Sequence, residues 1–113
     1  SLVVYGDGRQ TRDYVYVDDV VNALVAAATA TGLNRQVVNI GSGRETSVAE
    51  LIAHVERATG RRANVITHGE KSGGVPRLAA DIGRARTLLS FRPKTSLADG
   101  LRLTLARDSR FAR

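Results

Sequence analysis

A basic side chain set between two glycines and a helix start stands out in the first twenty residues. Arg12 follows Gly6 and Gly8, and glycine allows a backbone to approach a ligand closely. A guanidinium makes planar, two-pronged contacts with phosphate, so Arg12 is a candidate anion-binding residue. The adjacent Asp13 supports another interpretation, because an arginine beside an aspartate commonly forms a surface ion pair. The residues alone leave both interpretations open.

A second group of cations lies in the segment 70–77. Lys71 and Arg77 flank the paired glycines Gly73 and Gly74. Loops of this composition often serve only as turns. Spacing does not show whether this segment faces Arg12 in the folded chain.

The remaining polar residues give little sign of catalysis or metal binding. His54 and His68 are far apart and lack an H-E-x-x-H pattern, so no metal site is expected. Neither histidine lies near a nucleophile motif. Asp18 and Asp19 are better explained as residues that favour a helix start, with Asp18 the predicted N-cap, than as a catalytic carboxylate pair. We therefore expect no catalytic residues in this chain.

One segment partly matches a dinucleotide-binding fingerprint. The run Gly41-Ser42-Gly43-Arg44-Glu45-Thr46 lies between a predicted strand and a predicted helix. Thr46 occupies the third glycine position, and no acidic residue ends a strand about twenty residues later. The pattern favours a structural turn, and no cofactor is expected to bind this chain alone.

Composition narrows the class of protein and its partners. The chain has 113 residues, a formal net charge of +6 and 4% aromatic residues. An arginine-rich positive charge fits a nucleotide diphosphate or a nucleic-acid backbone, but single-strand stacking platforms are scarce, so nucleic acid is the weaker alternative. The absence of cysteine excludes disulfides and thiolate metal sites. No run is apolar enough to span a membrane and no leader-like pattern begins at Ser1, so we expect a cytoplasmic protein.

Hydrophobic periodicity and turn residues predict alternating strands and helices. Strands are predicted at 2–5, around Tyr14 and Tyr16, at 36–40 and at 62–67. Helices are predicted at 18–31, from a Ser47/Glu50 capping box to Gly60, from Asp81 to about residue 89, and at 96–106. The elements indicate an α/β chain without repeats or internal linkers.

Four motifs occur in the same order as in a known family. They are YGDGRQTRDYVYVDDVV, VVNIGSGRETSVAELI, KSGGVPRLAADIGRARTLLSFRPK and TSLADGLRLTL. Together they cover nearly the whole chain, which resembles the C-terminal portion of an extended short-chain dehydrogenase/reductase. This class includes the NAD-dependent nucleotide-sugar epimerases, UDP-glucose 4-epimerase among them, and the 4,6-dehydratases.

The resemblance implies a substrate-binding role for particular residues. Arg12 would hold the diphosphate of a nucleotide-sugar, and Tyr5 would border the base and ribose. Lys71 stands where the family has a second phosphate-binding arginine. The lysine keeps the positive charge but lacks the forked guanidinium, and Arg77 would compensate for that loss. The implied substrate-binding residues are Tyr5, Arg12, Lys71 and Arg77.

The resemblance also implies what the chain lacks. The expected fold is a partial α/β structure: sheet-edge strand-helix units plus a small C-terminal substrate-binding subdomain. Residues 1–113 would form one segment, with the N-terminal dinucleotide-binding domain and its NAD(P) site absent. The family's Y-x-x-x-K pair has no counterpart, because the positions four after the tyrosines are Arg9, Asp18 and Val20.

A chain of this kind would be inactive alone and would need a partner. It would pair with the missing N-terminal portion or self-associate through its uncovered sheet-facing surface. Two alternatives stay open, a stand-alone or regulatory nucleotide-sugar binder and a basic nucleic-acid-binding module.

Overall fold

The computed structural model describes residues 1–70 and 74–111, and this part of the chain contains short strands and four helices. In chain order the elements are β1 (Leu2–Tyr5), β2 (Thr11–Arg12), α1 (Val17–Thr29), β3 (Thr46–Ser47), α2 (Val48–Thr59), β4 (Val65–His68), α3 (Gly83–Leu89) and α4 (Leu97–Arg107).

The strands form two separate pairs. β1 and β4 are parallel, in a register that runs from Leu2 opposite Val65 to Tyr5 opposite His68. Parallel pairing requires a long crossover, and the intervening chain carries α1 and α2. β2 and β3 are antiparallel, with Arg12 opposite Thr46. Residues distant in sequence therefore meet beside Tyr5 and Arg12.

Local capping signals set three of the helix boundaries as predicted. The Ser47 hydroxyl accepts from the Glu50 N–H at 3.1 Å, and the Glu50 carboxylate accepts from the Ser47 N–H at 2.7 Å, which completes the capping box of α2. Gly60 ends α2 in the left-handed region at φ 67°. Ser96 caps α4 by accepting from the Asp99 N–H.

The buried core is small and lies between α1 and α3. Its members are Ala23, Ile82, Ala85 and Phe91, with Val38, Ile40, Ala80 and Leu89 packed against them. The accessible surface is 8371 Å² for a 12.1 kDa chain, against about 6,000 Å² for a complete globular protein of that mass. The extents of 50 × 37 × 17 Å describe a flat slab. The chain therefore leaves much more surface uncovered than an ordinary domain.

Four predicted local features differ from the structure. The segment 36–40 is not a strand in the described structure: Val38 and Ile40 pack on the core, but no neighbouring strand pairs with the segment. Tyr14 lies outside a strand and Tyr16 is the N-cap of α1, so Asp18 belongs to the first turn instead. Ile82 rather than Asp81 is the N-cap of α3, although the Asp81 carboxylate accepts from the Gly83 N–H.

No helix in residues 1–70 and 74–111 is long and apolar enough to cross a bilayer.

Candidate functional site

Arg12 is anchored to a loop far along the chain. It lies on β2, half-buried, and its Nη1 donates to the carbonyl oxygens of Thr11 and Val75, each at 2.7 Å. The Thr11 N–H donates to the Pro76 carbonyl oxygen at 2.9 Å. These contacts bring the 74–76 segment against Arg12, a proximity that the spacing of the sequence did not predict.

The backbone of the 74–76 segment has a conformation that favours glycine at position 74. Gly74 has φ +82°, in the region that side chains rarely adopt. A Cβ at this position would lie 3.6 Å from Nη2 of Arg12. The 74–76 segment therefore lies in van der Waals reach of the Arg12 guanidinium.

Tyr5 lies at the end of β1, beside a cleft that reaches the same loop. Its side chain is about half exposed, and its ring centroid is 6.2 Å from that of His68, which ends β4. Gln10 donates from Nε2 to the Tyr5 carbonyl oxygen at 2.9 Å. Tyr5, Gln10 and Gly74 line a cleft of about 480 Å³, with apolar walls from Leu2, Val3, Val4, Val48, Leu51 and Ile52. The cleft combines an apolar floor with polar groups at one end, as small-molecule sites commonly do.

Arg77 is engaged by a carboxylate. Its Nε donates to Oε1 of Glu45 at 3.0 Å and its Nη2 donates to Oε2 at 2.9 Å, a two-pronged ion pair at an exposed position. The hydrogen bond to Glu45, followed by the charge of that carboxylate, raises the pKa of Arg77. To bind a phosphate, Arg77 would have to break its ion pair with Glu45. Lys71, the other predicted cation of this segment, lies outside the described residues.

Asp13 organises the turn that resembled a dinucleotide fingerprint. Its carboxylate accepts from the Ser42 N–H at 2.7 Å, the Ser42 hydroxyl at 2.6 Å, the Gly43 N–H at 2.9 Å and the Ala80 N–H at 3.1 Å. Partial burial raises the pKa of Asp13, but the hydrogen bonds from Ser42, Ala80 and Gly43 outweigh it and lower the pKa overall. The anion held by this turn is the chain's own carboxylate, so the turn does not fit a dinucleotide diphosphate.

The carboxylates at the start of α1 have structural partners. Asp19 is 2% exposed and accepts from the N–H groups of Lys94 and Thr95 at 3.1 and 3.0 Å. Asp18 pairs with Arg107 at 2.7 Å, and Arg107 also donates to the Tyr16 hydroxyl. The Asp18 contact attaches α1 to α4, and the Asp19 contact attaches α1 to the segment before α4. Within the described residues, no group of three or more potential ligands could hold a metal ion.

Sequence reasoning singled out Arg12, Tyr5 and Arg77 as candidates but not the groups that contact them. Gln10, Glu45 and the Val75 carbonyl gave no local signal, because each acts on a partner through the fold or through its backbone. One of the two open interpretations paired Asp13 with Arg12, whereas the hydrogen bonds of the Asp13 carboxylate run to residues 29, 30 and 67 positions away.

Comparisons with known proteins match the fold and the opening segment. The family described as "NAD dependent epimerase/dehydratase family" matches residues 1–41. A UDP-glucose 4-epimerase from Mycolicibacterium smegmatis is 40% identical over 102 residues, which is 90% of this chain and 32% of that protein. This chain is homologous to a segment of NAD-dependent epimerases and dehydratases.

Solved structures extend the homology to the three-dimensional fold. A UDP-glucose 4-epimerase from Thermotoga maritima, solved with UDP-glucose, superposes with a TM-score of 0.88 at 34% identity, over 100% of this chain and 36% of that one. A UDP-glucuronic acid 4-epimerase from Bacillus cereus, solved with UDP-glucuronic acid and NAD, gives a TM-score of 0.80 at 36% identity, over 88% of this chain and 32% of that one. The predicted α/β fold of an extended short-chain dehydrogenase/reductase segment is confirmed.

This chain is much shorter than the proteins it matches. It spans about a third of the length of the curated proteins it matches. Those relatives also include a UDP-sugar decarboxylase and a dTDP-glucose 4,6-dehydratase. The homology therefore extends across several reactions on nucleotide-sugars.

Proposed function

We propose that this chain is the portion of an NAD(P)-dependent nucleotide-sugar epimerase or 4,6-dehydratase that binds the nucleotide diphosphate, and that it is not catalytic by itself. The observation that carries the proposal is the fixed position of Arg12 beside the 74–76 segment, whose Gly74 lines the same cleft as Tyr5. The matching Thermotoga maritima epimerase was solved with UDP-glucose and covers the whole of this chain, which supports the same ligand class here.

Each proposed residue has a distinct role. The Arg12 guanidinium offers charge-assisted hydrogen bonds to a phosphate, each contributing about 1.5–3 kcal/mol. Tyr5 borders the nucleobase and ribose, for which the apolar cleft supplies a non-polar surface. Lys71 and Arg77 supply the second cationic side of the site, with Arg77 released from Glu45 when the diphosphate binds.

The chemistry belongs to the rest of the enzyme. We assign residues 1–113 to a single substrate-binding segment, with the dinucleotide-binding domain outside it. A UDP-glucuronic acid 4-epimerase among the relatives was solved with NAD. In this chain the turn at 41–43 is filled by the Asp13 carboxylate, so it does not offer a site for a dinucleotide. Oxidation of a sugar hydroxyl, followed by epimerisation or elimination, would require NAD(P) and residues that this segment lacks.

The uncovered surface supports a partner for this segment. The accessible area exceeds that of a complete protein of the same mass by roughly 2,300 Å², comparable to the area that a large interface buries. Val17, Val21, Leu24 and Val25 form an exposed apolar stripe along α1. We assign this stripe, defined here as the α1 stripe, to contact with the missing part of the enzyme, or with a second copy of the chain when that part is absent.

Binding measurements on the full chain test the proposal. In isothermal titration, UDP and UDP-glucose should bind saturably, whereas glucose alone and NAD alone should not. Loss of nucleotide selectivity would overturn the assignment. Duplex DNA at two salt concentrations serves as the competing case, because nucleic-acid binding weakens steeply with salt.

A further inference from the structure

A second and more polar cleft lies at the start of α4. It has a volume of about 680 Å³ and is bounded by the 42–46 segment, α3 and the segment that precedes α4. Arg44, Arg86, Arg92 and Lys94 all line it, so cations contribute to several walls. We refer to it as the basic cleft. Tyr5, Arg12 and Arg77 are not among the residues that line it.

The charges of the basic cleft are not balanced within the described structure. Glu45 is the acidic residue of the lining, and its carboxylate is already held by Arg77. The ion pairs among residues 1–70 and 74–111 involve other cations: Arg9, Arg77, Arg102, Arg107 and Arg110. Four like charges around one concavity repel each other and attract anions.

Hydrogen-bond donors accompany these charges. Tyr14 and Thr95, both in the lining, carry hydroxyl groups. The Ser96 hydroxyl is already used, because it donates to Oδ2 of Asp99 at 2.8 Å and accepts from the Asp99 N–H. Leu97 and Ala98, in the first turn of the 11-residue helix α4, also line the basic cleft. The N–H groups of a first turn have no acceptor within the helix and favour anions. Cations from three segments of the chain, with hydroxyl groups and a helix N-terminus beside them, suit an anion with several acceptor groups.

Shape favours a small ligand over a nucleic acid. The volume of the basic cleft falls within the range of about 300–1,000 Å³ that small-molecule sites occupy. A nucleic-acid backbone is instead followed by an extended basic surface or groove. The aromatic platforms on which single strands stack are scarce in this chain.

We propose that the basic cleft binds a small ligand that carries two or more linked phosphate groups. Arg44, Arg86 and Arg92 contact the phosphates through their forked guanidinium groups, and Lys94 contributes a fourth charge. This site is argued from its own residues and does not depend on nucleotide-sugar binding at Arg12.

Titration of the full chain with inorganic tripolyphosphate tests the site. We expect saturable binding that weakens at least about tenfold in the double variant Arg86→Ala/Arg92→Ala, since both lost contacts are charge-assisted. The matched control is Arg61→Ala/Arg62→Ala, which removes the same charge from two exposed arginines outside the cleft. The control should stay within about twofold of the unmodified chain if the contacts are local.

Lys94→Gln repeats the test with a different cation of the lining and should weaken tripolyphosphate binding several-fold. Arg86, Arg92 and Lys94 are all exposed, so the substitutions should leave the fold intact, which far-UV circular dichroism verifies. Equal weakening in both double variants would reduce the effect to net charge and overturn the proposal. Failure of the unmodified chain to bind, binding of duplex DNA alone, or loss of binding through Arg12→Ala instead of the cleft variants would also overturn it.

Discussion

Nη1 of Arg12 lies 2.7 Å from the carbonyl oxygen of Val75, a residue 63 positions further along the chain. The contact fixes a guanidinium on β2 against the 74–76 segment, which Arg77 directly follows. A side chain held in place before binding loses less conformational freedom on contact with its ligand. The anchoring of Arg12 is thus part of how the proposed diphosphate site would achieve affinity.

Gly41 is predicted to tolerate no side chain. A Cβ there would lie 2.6 Å from Cβ of Ala80 and 2.7 Å from Oδ2 of Asp13. We expect Gly41→Ala to lower the free energy of unfolding by about 1–3 kcal/mol, measured by urea denaturation. Gly69→Ala is the matched control, because nothing lies within 4 Å of a Cβ at that exposed position. Equal unfolding midpoints for the two variants would contradict the packing described for the 41–43 turn.

Asp13 should make the stability of the chain depend on acid pH. Its folded pKa is lowered from 3.8, so its contribution is fully present above the unfolded pKa and is lost as pH falls through the folded pKa. Asp13→Asn should therefore lower the free energy of unfolding near neutral pH, by about 1–3 kcal/mol, because it disturbs a partly buried hydrogen-bond network. The variant should also lose less stability than the unmodified chain when the pH is lowered toward 3.

Chemical denaturation across that pH range measures both effects. Glu50, Asp99 and Asp108 also have lowered pKa values, so both proteins should weaken in acid and the difference between them carries the result. Parallel stability curves for the two proteins would show that Asp13 does not hold the turn through its charge.

The α1 stripe should cause the isolated chain to associate. We expect sedimentation velocity to show species larger than the 12.1 kDa monomer, with a shift toward monomer in Val21→Lys/Leu24→Lys. Asn22→Lys adds charge to the same helix at an exposed polar position and is the control. A monodisperse monomer with a single cooperative thermal transition would contradict the expectation that this surface needs cover.

Several helix boundaries and the first strand could be predicted from the sequence, because they depend on residues that are close together in the chain. The Ser47/Glu50 capping box, the Gly60 helix end and the Ser96 cap each depend on residues within about four positions. Their boundaries therefore followed from spacing alone. β1 was likewise predicted, because a short apolar run bounded by glycines is typical of a strand.

The sequence did not predict the features that depend on residues far apart in the chain. The 36–40 run has a strand-like composition, but a strand forms only where a neighbouring backbone pairs with it, and within the described structure none does. Asp13 receives its partners from residues 29 to 67 positions away, and the 74–76 segment reaches Arg12 across 63 positions. Neither arrangement has a signature in the local sequence.

The most direct test of the proposed function is titration of UDP-glucose into the unmodified chain and two arginine variants. Arg12→Ala removes the proposed phosphate contact, whereas Arg9→Ala removes an exposed arginine that is paired with Asp7. A charge-assisted contact worth about 1.5–3 kcal/mol predicts a Kd at least about tenfold weaker for Arg12→Ala. Arg12→Lys should fall between, because it keeps the charge without the fork. The account predicts an unchanged Kd for Arg9→Ala, and equal Kd values for Arg12→Ala and the unmodified chain would contradict it.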